Sequence, residues 1–203
     1  RLLGEGSYRA ARAIGRGSEL YVMAAKGQEI PMHEPRVKFA LGLGYAVSPT
    51  GADHNHNFHD VDYTNEEGIQ GVKLFGILEP LAYNDLGPAK VRLAAVEIPW
   101  QTVMNALGVC NFAGSFYERT RLVDLVQAVT GWNTSLHELL KVGERVYTMA
   151  RAFNAREGLT AADDRLPHRF FEAFREGPAA GNALPPEAFE RARTLFYQMM
   201  GWD

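Results

Sequence analysis

The chain has 203 residues, 46% of them hydrophobic, a formal net charge of −3 and one cysteine. That apolar content supports one sizeable core or two small ones. The slight negative balance leaves no electrostatic footprint for nucleic acid or an anionic membrane, no apolar run approaches the roughly 20 residues of a membrane span, and no basic-then-apolar leader opens the chain. One cysteine excludes an internal disulfide framework and fits a reducing cytoplasm. A chain that starts at Arg1 and not at Met points to a fragment or a processed product.

In chain order, residues 7–14 (SYRAARAI) read as a short helix between Gly4/Gly6 and Gly15/Gly17. Glycine suits helix ends because it reaches left-handed backbone without steric cost. The spacing is not that of a dinucleotide fingerprint, and no strand precedes it. Residues 19–25 (ELYVMAA) fit a strand or a helical turn, and Pro31 and Pro35 punctuate the stretch after them. Residues 37–47 read as helical, weakened by Gly42 and Gly44. Residues 77–82 and 89–107 carry a mostly helical pattern, broken at Gly87-Pro88 and at Pro99. Leu122, Val126 and Val129 fall on one helix face. Ser135 and Glu138 have capping-box spacing, in which each side chain satisfies the other's free backbone N–H. After them Leu136, Leu139, Leu140, Val146, Tyr147, Ala150 and Phe153 follow the helical period until Gly158. Phe189, Ala192, Leu195, Phe196 and Met199 make a last amphipathic helix, entered through Pro185-Pro186. No segment alternates as a strand should, and there is no repeat or low-complexity tract. The class is all-α, multihelical, with at most one short strand or hairpin near Tyr21.

The densest chemistry lies in residues 48–60, SPTGADHNHNFHD. Asp53, His54, His56, His59, Asp60 and Asp62 offer imidazoles and carboxylates of the kind that ligate zinc or iron. The H-x-H-x-x-H spacing matches no structural zinc pattern, and no HExxH is present. Three readings stay open: a metal site, a polar loop with one or two satisfied histidines, or a histidine beside a cofactor that donates or accepts a proton. Cys110 closes an apolar helical stretch, where a lone thiol is usually a buried small hydrophobe. One thiol cannot hold an iron–sulfur cluster, though it can complete one whose other ligands lie elsewhere.

Five stretches, in order, carry a family likeness. GEGSYRAARAIGRGSELYVMAAKGQEIPMHEPR, GLGYAVSPTGADH, NALGVCNF, RAFNAREGLTAADDRLPHRFFE and the closing FYQMMGWD span nearly the whole chain. Together they resemble the C-terminal part of the tungsten-dependent aldehyde ferredoxin oxidoreductases. NALGVCNF stands for that family's D-x-x-G-L-C motif. The resemblance implies that most of the enzyme lies outside this chain, in an N-terminal β-rich domain under a bis-pterin tungsten (or molybdenum) cofactor, covered by two helical domains. Residues 1–35 correspond to the end of the middle helical domain and a connector, and 36–203 to the C-terminal helical domain. The family continues past Gly201-Trp202-Asp203.

By position in those motifs, His54 is the histidine that stands close to tungsten. A neutral imidazole there can orient a carbonyl or accept a proton. Thr50 and His56 fall where the family contacts the pterin, although the familiar residues there are more basic. Cys110 matches the cysteine completing the [4Fe–4S] cluster. Asn105 stands where the motif has aspartate and loses its charge; Val109 replaces leucine. His59, Asp60 and Asp62 match no family role and read as loop. The resemblance implies oxidation of aldehydes to carboxylic acids with ferredoxin as acceptor. Its partners are ferredoxin, a small aldehyde, the remaining domains of the polypeptide and, where the family dimerises, a second copy. In isolation the chain is expected to hold no pterin, tungsten or cluster and to be inactive. The His54 loop and the Asn105–Cys110 segment are expected to approach each other on one open cavity. Rival readings are an aromatic acyl-CoA reductase of the same superfamily, a non-catalytic helical module, and a mononuclear metal hydrolase built on the histidine loop, which lacks a three-ligand open site.

Overall fold

The computed structural model describes residues 2–114 and 118–202. Asp203, the end of the closing landmark, lies outside the described residues. The architecture is all-α: α1 (Ser7–Ile14), α2 (Phe39–Val47), α3 (Pro88–Ala106), the one-turn α4 (Asn111–Gly114), α5 (Arg119–Thr130), α6 (Leu136–Arg156) and α7 (Pro186–Met200), joined by short 3-10 turns. The one sheet among the described residues is an antiparallel hairpin of β1 (Ala24–Ala25) and β2 (Gln28–Glu29).

The glycine-bounded α1 is as expected, with Gly6 and Gly15 at positive φ. The stretch 19–25 holds both alternatives in succession, a 3-10 turn over Ser18–Tyr21 and then β1. Lys26 and Gly27, both at positive φ, turn the hairpin. That is the two-residue turn whose twist matches paired strands. The left-handed Lys26 is held by a buried ion pair, its Nζ 2.7 Å from Asp164 Oδ1, and it also donates to the Ala46 carbonyl. Arg151 and Tyr197 bind the other Asp164 oxygen, so one carboxylate ties the hairpin to α6 and α7.

Helix α2 is buried on every side, as a helix apolar all round must be. Its glycines do not weaken it. A Cβ at Gly44 would run into the Asn57 side chain, and one at Gly42 would meet Pro35 at 3.0 Å. They are there to let the loop and its neighbours approach. Around α2 pack α3 and α7, with Leu41, Leu43, Leu93, Ile98, Phe189 and Phe196 in the main core. A smaller cluster joins Trp100, Val103 and Met104 of α3 to Leu122, Val123 and Val126 of α5 and Leu139 of α6.

Four helical expectations are corrected. Residues 77–82 are not helical: Ile77 and Leu81 are both buried four residues apart, which imitates a helix, but Pro80 has no N–H and Leu81 N donates instead to the Tyr63 carbonyl. Helix α3 runs through Pro99. The Pro99 carbonyl faces Gly143 of α6, where any Cβ would collide with it, and burial of Ile98, Trp100, Val103 and Met104 outweighs the roughly 3 kcal/mol that an interior proline costs. The α5 stripe is Leu122, Val123 and Val126; Val129 is 84% exposed. Likewise α6 buries Leu139, Gly143 and Tyr147 and leaves Phe153 exposed. The Ser135–Glu138 capping box is present in both directions, and α7 begins at Pro186 as expected.

Candidate functional site

Helix α2 ends at Ser48, and the histidine loop leaves from there. Gly51, at positive φ, passes so close to the Ala25 carbonyl that no side chain would fit. Asp53 caps the next 3-10 turn, its Oδ1 accepting from Asn55 N at 2.8 Å, and so presents His54, Asn55 and His56 in succession. The loop ends at Asp60, which is fully buried. Its two oxygens accept from Ala40 N (3.2 Å), Leu41 N (3.0 Å) and Lys90 Nζ (2.9 Å). Asp60 is in the loop as read, but as its anchor: it pins the loop to the first turn of α2 and to α3.

The three loop histidines diverge. The His56 ring turns toward the rim, with Nδ1 3.3 Å from both Asp53 Oδ2 and Thr50 Oγ1, and Thr50 Oγ1 is 3.1 Å from Ser48 Oγ. The Thr50–His56 pair is therefore together, apart from His54. His59 Nδ1 lies 3.1 Å from Lys38 Nζ. His54 and His59 share one group, apart from His56: the His54 ring centroid is 4.7 Å from that of His33, which is 4.5 Å from that of His59. Among the described residues the His54 ring nitrogens have no hydrogen-bond partner. Burial, then Lys38, then the neighbouring imidazoles push His59 down to about 4. Burial first, then Lys38 and His54, lower His33 as well. Both rings are neutral at pH 7. Burial raises the Asp62 carboxyl against the opposing pull of Lys38.

The Asn105–Cys110 segment meets this loop. Past the end of α3, Gly108 takes a positive φ and Val109 N donates back to the Met104 carbonyl. Val109 packs against the Trp100 cluster. Asn105 Nδ2 (3.3 Å) and Asn111 Nδ2 (2.7 Å) both donate to the Asn55 carbonyl. A cavity of about 430 Å³ lies at this junction, lined by His33, His54, His59, Trp100, Phe112 and Arg119 among others. Arg119 is ion-paired with the buried Glu97 and lies over the Trp100 ring. Cys110 is exposed; it is not the buried small hydrophobe that its apolar neighbourhood implied, because the chain has left α3 before it.

Among the described residues no group of three or more histidines, cysteines and carboxylates stands in an arrangement that would hold a metal ion. The loop's donors are occupied elsewhere: Asp60 by Lys90 and two amides, His56 by Asp53, His59 by Lys38. Sequence reasoning missed His33 and Lys38. The available signal was the proline-framed PMHEP run, in which a histidine sits on a stiff segment.

Helix packing and this wall of imidazoles beside one accessible thiol define a multihelical all-α domain with a polar, open face. The comparisons say of which kind: the family described as aldehyde ferredoxin oxidoreductase, domains 2 & 3, matches residues 1–203, and the chain belongs to it. It is similar to the tungsten-containing aldehyde ferredoxin oxidoreductases of Pyrococcus horikoshii, 30% identical over 99% of this chain and 31% of that protein, and of Thermococcus kodakarensis, 29% identical over 98% and 31%. It is also similar, at 24% identity over 100% of this chain and 30% of the other, to a Pyrococcus furiosus protein named as an aliphatic sulfonate oxidoreductase, WOR-like subunit. The chain thus spans under a third of the length of the relatives it matches. No helix among the described residues is long and apolar enough to cross a membrane.

Proposed function

We propose that this chain forms one wall of the active site of a pterin oxidoreductase that oxidises aldehydes to carboxylic acids, RCHO + H2O → RCOOH + 2H+ + 2e−, passing the electrons through a [4Fe–4S] cluster to ferredoxin in the cytoplasm. The observation that supports it best is convergence: Asn105 and Asn111, the residue after Cys110, both donate to the carbonyl of Asn55, the residue after His54, and His54 and Asn111 line one cavity.

The donor set fits part of a cofactor site and not a whole one. Cys110 is exposed and free, able to give one thiolate to a cluster that needs about four ligands. Thr50 and His56, paired with each other, and Asn105, bound to the carbonyl of Asn55 next to His56, are the polar groups offered to pterin edges, and Val109 packs on the Trp100 cluster. When bound, the pterin-held tungsten (or molybdenum) supplies the two-electron acceptor. This chain's own part is to orient and to move protons. His54, with both ring nitrogens uncommitted among the described residues and the neutral rings of His33 and His59 beside it, hydrogen-bonds the substrate carbonyl or takes the proton released. Trp100, Met104 and Phe112 add apolar surface to the same cavity. On this reading residues 1–35 close the middle helical domain and 36–203 form the C-terminal one. A separate small cluster of Ala11, Val22 and Ala24 supports that division.

The test uses the full-length enzyme, with the rate normalised to bound tungsten. His54→Ala is expected to lose about 10²–10⁴-fold with the cofactor retained. A normalised rate within about threefold of the parent withdraws the assignment. Cys110→Ala is expected to lose cluster absorbance. The chain alone, reconstituted anaerobically, is expected to bind no iron; about four irons per chain would contradict the one-wall reading.

A further inference from the structure

We propose that His33 and Lys38 are positioning residues for His54: Lys38 fixes the tautomer and charge of His59, His59 packs on His33, and the uncharged His33 sets the place of the His54 ring. This deepens the reading of His54 as the proton-transfer group and rests on it.

The strut that carries His33 is stiff on both sides. Pro31 and Pro35 flank it, each with φ fixed by its ring, and His33 N donates to the Pro31 carbonyl at 2.7 Å. Glu34 caps the next turn through Arg36 N at 3.0 Å and ion-pairs with the Arg36 guanidinium. Arg36 is itself buried, donating to the Glu172 carbonyl at 3.2 Å and lying 3.5 Å over the Phe174 ring. Met32, by contrast, is fully exposed. The segment is anchored so that the side chain reaching the cavity is the imidazole.

Lys38 then orders the group. An ammonium donates and never accepts, so His59 Nδ1 must be the acceptor and the proton of neutral His59 sits on Nε2. A cation 3.1 Å away opposes a second positive charge on that ring and, through it, on His33. The other charged groups lining the cavity are Glu97, which is ion-paired with Arg119, and Asp62, whose carboxyl burial raises against the pull of Lys38. His33 and His59 are both held below the ordinary imidazole range, as this arrangement requires. Among the described residues the His54 ring nitrogens have no hydrogen bond, and the ring packs on His33 at 4.7 Å between ring centroids. A second positive charge on His33 would disturb that packing, so the placement of the His54 ring follows the protonation of His33.

The experiment uses the full-length holoenzyme with tungsten content measured. Parent, Lys38→Met, Lys38→Arg and His33→Ala are each treated with diethylpyrocarbonate across pH, and modification of His33, His54 and His59 is read by peptide mass spectrometry. Only the unprotonated ring reacts, so this reads protonation without turnover. In parallel the acid limb of kcat/KM is recorded. Lys38→Met is expected to move His59 and His33 modification to higher pH by about 0.5–1 unit, and to move the acid limb of kcat/KM the same way. Lys38→Arg is expected to keep the parent profiles. His33→Ala is expected to lower kcat about tenfold with KM and tungsten unchanged, as a misplaced ring would. Superimposable modification profiles for Lys38→Met and parent overturn the proposal, as does a moved modification profile with an unmoved acid limb. A parent-like rate for His54→Ala removes the proton-transfer reading itself. Unmoved Lys38→Met profiles beside an inactive His54→Ala remove the positioning role alone.

Discussion

The histidine loop has a closed end and an open end, and they are built on opposite rules. At Asp60 the carboxylate is fully buried and both oxygens are satisfied inside the chain, by Lys90 and two amides of α2. At Thr50–His56 the polar groups are half-exposed and satisfied only loosely, by one another. Between them the His54 ring packs on His33, with no hydrogen bond to its ring nitrogens among the described residues. A buried charge must find its partner during folding. A half-exposed one is free to find it later, in a substrate or cofactor. The comparison separates the residues that hold the site from those that use it, although all fall within a few turns of chain.

The closed end carries the largest expected effect. Asp60→Ala leaves the Lys90 ammonium buried without a counter-charge and removes the acceptor for Ala40 N and Leu41 N. A loss of about 3–5 kcal/mol is expected in chemical denaturation. The double variant Asp60→Leu, Lys90→Met should recover most of that, because a well-packed apolar pair is often as stable as the buried ion pair it replaces. A single-variant loss under about 1 kcal/mol would break the comparison.

How much of this was legible from residues alone differs element by element. Helices α1 and α6 were readable to within a residue or two because their signals are local: glycines at both ends of the first, a reciprocal Ser135–Glu138 cap on the second. Residues 77–82 and Pro99 misled for the same reason in reverse. Local spacing and local breakers were outvoted by burial, of Ile77 and Leu81 in one case and of the α3–α6 contact in the other. Gly44 looked like a weak point in a helix and is a packing requirement, which no rule of propensity states. In the site, Asp60 was visible only as one of several loop carboxylates, because its partner Lys90 lies thirty residues on in the sequence. For His33 the proline-framed PMHEP run was the one local signal, and no role could be read from it, since its neighbours His54 and His59 arrive only through tertiary folding. The nearness of His54 to Asn105 and Cys110 came from family likeness; composition and spacing do not contain it.

A middle-sized effect belongs to His59, which sits between the two ends. The folded chain keeps it neutral down to about 4, whereas an unfolded imidazole takes up a proton near 6.5. Between those values the unfolded chain binds more protons. Stability is therefore full above about pH 6.5 and falls as pH drops toward 4. With the ring half-exposed, the loss is on the order of 1 kcal/mol and not the full value of the shift. Denaturation midpoints of parent and His59→Asn, compared at pH 7 and pH 5, check this. The variant should lose less than the parent on acidification. An equal loss in both would assign the acid sensitivity to other groups.

The smallest effect is expected at the open end, and its smallness is informative. His56 pairs with Asp53 at 3.3 Å, with both side chains about a quarter exposed. An ion pair so accessible to water contributes about 0–1 kcal/mol. His56→Ala should shift stability by under about 0.5 kcal/mol. Thr50 keeps its contact with Ser48, at 3.1 Å, so the turn that presents His54 stays capped. If the open end exists for a ligand, the same variant in the full-length enzyme should lose cofactor retention far out of proportion to that stability change. Tungsten content after dialysis, measured beside the denaturation midpoint, gives both numbers on one preparation. A large stability loss with tungsten retained would mean that His56 belongs with Asp60 as scaffold, and the loop would then have no open end at that position.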